Sequence, residues 1–468
     1  MTNLGWDERA DVVIVGGGGG GLRAGLAAAR SGAKTIVLEK TGDPGGKTAM
    51  SIGIMTASAT SVQKAAGVTD SHARHLADVE AMARQAGAKI DVASTKFMMR
   101  VCSAELENLI ALGLKFSGPH PEGPHGTPRM HVVQPDCRHL VAVLLEACAK
   151  AQVSIHVNTP GTDLILDHRG RIAGVRADSE DGPRFIEAGA VVLAAGDYSA
   201  NRAMVQSLAL ELKLAMPLRD FATGDGHRMA LRIGARVQNM ARVNTPQLRF
   251  TEWPYVEPSP GLVAAGARLV TRKGARIKTR LDESILMPGF EDRWEEIFIV
   301  IDGACAAKLA VAGDDRGPGR DGWALTGKPF VGTAPKVGYA YLDDCRAWDW
   351  HFEAKTIAAA ARRMGCKPAA LAASLAKHSH GPFHLLGPTR RVIANSGGGV
   401  ATNEKTNVLS QDGRAIKGLY GAGVNARLIL FMGGHGFALA WAMASGHIAG
   451  AGAARHAERQ IRDRLPGR

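Results

Sequence analysis

The chain has 468 residues, more than one hydrophobic core usually supports, so two domains are expected. Hydrophobic residues at 46% and charged residues at 22% fit a water-soluble globular protein and exclude fibrous and disordered classes. The net charge of +13 comes from Lys and Arg spread along the chain with no basic run among aromatics, which argues against nucleic-acid binding and leaves attraction of small anions open.

Residues 1–10 are a polar leader. Asp11–Val15 (DVVIV) is an unbroken apolar run ending at glycine, the pattern of a buried parallel strand. Six glycines follow, Gly16 to Gly21, then an Ala-rich helix closed by Gly32, and a second buried strand over Lys34–Glu39. Helical periodicity covers Ser71–Leu112, and Ser117–Pro128 reads as a long loop, a candidate lid over the site, followed by the candidate site residues Arg129 and His131. Leu140–Ala151 reads as a helix. Strands are expected over Val153–Val157, Thr162–Leu166, Ile172–Arg176 and Ala190–Ala195. After about Gly234 the periodicity becomes irregular, with helices expected near Ala304–Ala312 and Trp348–Met364. Gly-rich α/β character returns from Val392 and ends in a long Ala-rich helix from Phe437.

This order predicts an α/β protein: a discontinuous Rossmann-like domain over 1–240 and 381–468, with an α+β cap over 241–380. The six cysteines form no CxxC pair, so neither a zinc site nor an iron–sulfur cluster is expected, and they read as buried thiols of a reducing compartment. No apolar run reaches transmembrane length. A cytoplasmic protein without membrane insertion is the expectation.

Gly16, Gly18 and Gly21 form GxGxxG between a strand and a helix, with Glu39 closing the next strand. The first glycine permits the turn, the second lets amides approach a pyrophosphate, and the third lets helix and strand pack. The helix N-terminus adds donors and positive partial charge, and Glu39 can accept hydrogen bonds from a ribose. This identifies a dinucleotide, NAD or FAD.

Four further segments, GDPGGKTAMSIGIMTA (42–57), VVLAAGDYSANRAM (191–204), TGDGHRMALRIGA (223–235) and GLYGAGVN (418–425), resemble the flavoprotein family of fumarate reductase and succinate dehydrogenase. 3-Ketosteroid dehydrogenases belong to the same superfamily. The resemblance implies FAD, a cap inserted before the last segment, and an active site at their junction. It assigns Gly45, Gly46, Lys47, Thr48 and Gly53 to the loop beneath the flavin ring. Ala195 and Gly196 fall to the adenine–ribose side, and Gly421 and Gly423 to the ribityl and pyrimidine end. Lys40 completes the cofactor set with Asp225, which can equally be a turn cap. Succinate dehydrogenases carry a flavin-linked histidine just after the glycine pair. Lys47, Thr48 and Ala49 stand there, so noncovalent FAD is expected.

The segment 428–443 (LILFMGGHGFALAWAM) lacks the carboxylate-clamping Arg of fumarate reductases, and 273–284 matches their proton-donating cap motif poorly. The resemblance is nearer to ketosteroid-type desaturases. Gly436 matches their ketone-polarising glycine, while Met432 replaces the partner Tyr. His435 is the candidate second donor; capping the helix or touching flavin are its alternatives. Arg390 and Arg391 are candidates for a carboxylate clamp or a structural ion pair. Tyr339 and Tyr341 are candidate cap acids or bases, and His380 and His384 weaker ones.

The sequence therefore predicts an FAD-dependent oxidoreductase acting on a CH–CH bond beside a carbonyl or carboxylate. Desaturation of a small cyclic ketone or keto acid comes first, and enoate reduction second. A non-catalytic flavin-binding electron-transfer subunit is the reading from another class. The expected partners are a small-molecule substrate, with an anionic one open, and an electron acceptor that the sequence does not identify. It leaves the oligomeric state open as well.

Overall fold

The structure, a computed structural model, describes residues 5–51, 53–85, 89–121, 125–208, 216–217, 219–240, 243–244, 247–251, 256–258, 260–277, 296–311, 338–340, 342–347, 349–393, 395–428 and 436–464. The chain divides into two compact units, one of residues 1–208, 219–243 and 395–468, the other of 209–218 and 244–394.

The first unit begins with β1 (Glu8–Val15), α1 (Gly19–Arg30) and β2 (Thr35–Leu38). It continues through β3 (Ile54–Thr56), α2 (Ser61–Ala65), α3 (His72–Gln85), α4 (Val92–Ala111), β4 (Lys115–His120), β5 (Met130–Gln134) and α5 (Cys137–Lys150). Next come β6 (Ser154–His156), β7 (Gly161–Leu166), β8 (Ile172–Ser179), β9 (Gly182–Leu193), α6 (Arg202–Leu208) and α7 (Asp225–Arg232). The unit closes with a strand over Ala415–Gly421 and a helix over Phe437–Arg464.

Among the described residues its main sheet has eight strands, with 407–409, 415–421, β9, β1, β2 and β6 in spatial order. β1 runs parallel to both β2 and β9, and β9 runs parallel to 415–421. Val12 to Val15 are buried on both faces, which explains why β1 is a continuous apolar run rather than an alternating one. The register aligns Val15 with Leu38 on one side and Leu193 on the other, while Gly421 aligns with Leu193. Four chain segments thus leave the sheet at one edge, the carboxyl ends of parallel strands, where α/β proteins bind ligands.

One sequence expectation changes in this unit. The segment 117–128 was expected to be all loop, yet Lys115–His120 is a strand, because its Lys115–Ser117 stretch pairs backbone groups with β5. The periodic stretch 71–112 is helical as expected, in two helices, and Asp91 caps the second by accepting from Ala93 and Ser94 amides.

In the second unit a seven-stranded sheet centres on Phe383–Ile393, which pairs with 297–301, 247–250, 351–354 and 216–217. Apolar residues from both sheet faces form two clusters, one including Phe250, Ile299 and Trp350, the other Val300, Leu371 and Phe383. The stretch 348–364 was expected to be one helix. His351–Ala354 is instead a strand antiparallel to Phe383–Leu386, and only Ile357–Met364 is helical, capped by Thr356. These pairings put 383–393 within the second unit, although the sequence reading ended the cap at 380.

Candidate functional site

The loops at the carboxyl edge of the first unit's sheet build the candidate site. Gly16 has φ of 106°, a left-handed conformation that favours glycine, and its amide bonds Leu38 O at 2.7 Å. A Cβ on Gly21 would lie 1.8 Å from Gly16 O, so helix and turn touch at that point. Gly18 differs: a Cβ there would meet nothing nearer than Gly45 O at 3.9 Å. The space before Gly18 is open, Gly18 as N-cap supplies no side-chain cap, and no acid lies in the first turn of α1, although Thr48 Oγ1 takes the Gly19 amide at 3.3 Å. A helix start without an acid in its first turn, beside open space, is an anion-binding arrangement.

Glu39 is 7% exposed. Its Oε2 accepts from Gly17 N at 2.8 Å, and Oε1 accepts from Thr41 N and Thr41 Oγ1, both at 2.8 Å. An ionised carboxylate offers about four lone-pair sites, so this acid is fixed in place with acceptor capacity remaining for a ribose hydroxyl. The glycine cradle, the helix start and the pinned acid together fit the adenosine diphosphate half of FAD.

The loop after Glu39 folds back on this cradle. Gly45 N donates to Gly17 O at 2.9 Å, Gly46 packs on Gly18, and Thr48 Oγ1 accepts from Gly19 N at 3.3 Å. Lys47 points to the end of β9. Its Nζ lies 3.0 Å from Asp197 Oδ2 and 2.8 Å from Ser199 Oγ, and Asp197 is fully buried. Burial alone would raise the Asp197 carboxyl, but Lys47 and the Ser199 donors hold it below the usual range. Lys40 Nζ bonds Thr223 Oγ1 at 2.7 Å and Asp225 Oδ2 at 2.9 Å, tying β2's end to α7. Against its burial, Lys40, Thr223 and Arg228 likewise hold Asp225 low. Lys40 and Lys47 therefore act here as clamps between cofactor loops.

Gly53 has φ of 86° and packs near Val133 and Cys137. Ala195 N donates to Asn425 Oδ1 at 3.3 Å, and Gly196 faces open space. Gly421 N bonds Thr406 O and Gly423 N bonds Ser445 Oγ, both at 2.9 Å, so these two amides serve the protein. Gly436 has φ of 89° and packs onto β3, where a Cβ would lie 2.7 Å from Ile54 O.

His435 and Tyr341 lie outside the described residues, as do the side chains of Tyr339, in strand Gly338–Ala340, and of Arg391. Arg390 pairs with Glu296 at 3.3 Å. His384 is 4% exposed, with Nδ1 2.9 Å from His351 Nε2. His380 Nδ1 lies 3.2 Å from the Gly381 carbonyl. Arg129 and His131 are packed inside the first unit. Arg129 is buried, donating to Asp70 at 2.7 and 2.9 Å and to Asp78 at 2.5 Å, and His131 Nε2 lies 2.9 Å from Thr60 Oγ1.

Sequence reasoning did not find the polar cluster around these residues. His75 on α3 is fully buried, stacked on Phe437 at 5.2 Å and edge-on to His125 at 5.5 Å. Burial, reinforced by Arg129 and His125, drives its pKa well below the ordinary 6.5. The unfolded chain therefore takes up this proton first as pH falls, and stability present above about pH 6.5 is lost below it. The urea midpoint should be lower at about pH 5.5 than at about pH 7.5, and His75→Phe should shrink that difference. An undiminished difference in the variant would exclude His75 as its source.

Among the described residues no group of three or more His, Cys, Asp or Glu could hold a metal, and no helix is long and apolar enough to cross a membrane.

The model of the FAD binding domain family matches residues 11–438. The chain is 28% identical to the fumarate reductase (cytochrome) of Shewanella frigidimarina over 58% of its length and 47% of that protein. It is also 28% identical to the acrylate reductase flavoprotein subunit of Shewanella woodyi, over 55% of its length and 51% of that protein. The chain spans about half the length of these curated relatives. Among solved structures, the open conformation of a flavocytochrome c3 fumarate reductase superposes with a TM-score of 0.75 at 22% identity, covering 97% of this chain and 79% of that one. The 3-ketosteroid-Δ4-(5α)-dehydrogenase of Rhodococcus jostii RHA1 gives 0.69 at 24% identity, covering 97% and 98%.

Proposed function

The chain belongs to the FAD binding domain family, with FAD as its cofactor, and on that premise we propose that it is an oxidoreductase of carbon–carbon bonds beside an electron-withdrawing group. The first unit is the FAD-binding domain and the second the substrate domain. Bound FAD supplies reversible hydride exchange at its flavin ring. The residues that would hold it are Glu39 at the ribose, the amides of α1's first turn at the phosphates, and the 45–48 loop beneath the ring. Lys47 is engaged by Asp197 and Ser199, which supports noncovalent binding.

The observation that carries the reading is the family match across residues 11–438, joined to the open cradle at Gly18. The sequence placed desaturation of a cyclic ketone first. Likeness to reductases of fumarate and acrylate now favours reduction of an activated double bond.

The purified protein should be yellow and release its flavin into acid. The photoreduced protein, mixed anaerobically with fumarate, acrylate or cyclohexenone, should regain oxidised-flavin absorbance with at least one of them. Saturated cyclic ketones added to the oxidised protein test the desaturase direction by bleaching. A yellow protein silent in both directions would defeat the enzymatic reading and favour an electron-transfer role.

A further inference from the structure

We propose that His72, Ser58 and His75 form a proton relay that links solvent to the reacting carbon, resting on the oxidoreductase reading above. Ser58 is fully buried in the connection after β3. Its Oγ lies 2.9 Å from His72 Nδ1 and 3.1 Å from His75 Nδ1. The two histidines stand one turn apart on α3, so one hydroxyl can touch both rings. His72 is half-buried, which gives the outer end access to water. His75 Nε2, the inner end, is buried and has no hydrogen-bond partner among the described residues. A buried ring nitrogen left unpaired needs a reason, and a partner that arrives with substrate supplies one.

The inner end is placed by Phe437. Its ring stacks on His75, and it directly follows Gly436, the glycine expected to polarise a carbonyl. The helix that Phe437 begins meets the phosphate cradle at Met443, since a Cβ on Gly19 would lie 2.5 Å from Met443 Cε. Met443 lies six positions after Phe437, about 9 Å of helix rise. One helix thus connects the cradle to the His75 ring.

Addition of hydrogen across an activated double bond requires one hydride and one proton. Bound reduced FAD would supply the hydride, and the protein's own residues would supply the proton. The proton leaves His75 Nε2 for an alkene carbon, and His75 Nδ1 takes the Ser58 hydroxyl proton. Ser58 Oγ takes the His72 Nδ1 proton, and solvent reprotonates His72 at Nε2. Each bond broken is matched by one formed, and desaturation runs the same transfers backward. The charged and titratable groups facing His75 are Arg129, His125, Asp70 and His72. The neutral His75 ring, carrying its proton on Nε2, gives it up there while Nδ1 accepts from Ser58.

The relay is tested on holoenzyme carrying nitrogen-15 histidine, by the solvent exchange rate of the His75 ring proton. Ser58→Ala and His72→Phe should each slow exchange on the order of tenfold or more, and Ser58→Thr should restore it. With whichever probe alkene reoxidises the flavin, Ser58→Ala and His72→Phe should lower kcat about 10²-fold with KM unchanged, while dithionite reduces the flavin as in wild type. Wild-type exchange rates in both variants would overturn the relay. If no alkene reoxidises wild-type flavin, the functional reading fails, and the exchange rates still decide the relay by themselves.

Discussion

Glu105→Ala should destabilise the first unit by about 3–5 kcal/mol, the loss that follows when one member of a buried ion pair is removed. Arg23 on α1 and Glu105 on α4 have side chains only 4% and 2% exposed. The guanidinium engages Glu105 with two nitrogens, Nε on Oε1 and Nη2 on Oε2 at 3.2 Å. Asn108 Nδ2 donates to Oε2 at 3.0 Å, and His447 Nδ1 lies 2.7 Å from the same oxygen. Three helices therefore meet at one carboxylate. Truncating it leaves a guanidinium with its charge uncompensated in an apolar interior.

Replacing both partners together, as Arg23→Met with Glu105→Leu, should recover most of that loss, because neither charge then remains buried. Burial alone would raise the Glu105 carboxyl, but His447 and Arg23 hold it below its ordinary 4.5. Its contribution is therefore complete above about pH 4.5 and disappears as pH falls through the lower folded-state value. Urea denaturation reads both effects. A Glu105→Ala midpoint equal to wild type would refute the arrangement. Since α1 also carries the cradle, the single variant should lose FAD affinity alongside stability.

Local pattern carried the nucleotide cradle into view. The run DVVIV, the glycines, the helix and Glu39 lie within 29 residues, and each has a period or a turn requirement that shows in the letters. The element that escaped was β4, because SGPH reads as turn chemistry until β5 offers it a partner. The buried ionic groups escaped for a related reason. Arg23 and Glu105 are 82 residues apart, Arg129 and Asp70 are 59 apart, and Lys47 and Asp197 are 150 apart. A single sequence holds no signal that couples such positions. Arg129 shows the consequence: after a Pro- and Gly-rich loop it read as a site candidate, whereas two carboxylates from the α3 region draw it inside. His75 carried no mark at all, being one histidine on an amphipathic helix, and only the folded contacts separate it from a surface residue.

Gly18→Val and Gly21→Val should fail in different ways, and the contrast tests the cradle more sharply than either variant alone. Gly18 has φ of −70° and ψ of 177°, extended backbone that valine adopts readily. A Cβ there meets no protein atom nearer than 3.9 Å, so the apoprotein should fold with an unchanged melting temperature. The valine methyls would occupy the space through which the α1 amides reach a pyrophosphate. Loss of two charge-assisted hydrogen bonds at about 1.5–3 kcal/mol each weakens FAD binding on the order of 10²–10⁴-fold. At Gly21 the Cβ would stand 1.8 Å from Gly16 O, a backbone atom that cannot swing aside, so the protein should be insoluble or unfolded rather than merely colourless. FAD titration of the apoproteins, followed by quenching of flavin fluorescence, separates the two outcomes. If Gly18→Val binds FAD with wild-type affinity, the phosphates do not approach this turn. If Gly21→Val folds and binds normally, the close packing of α1 on the Gly16 turn is wrong.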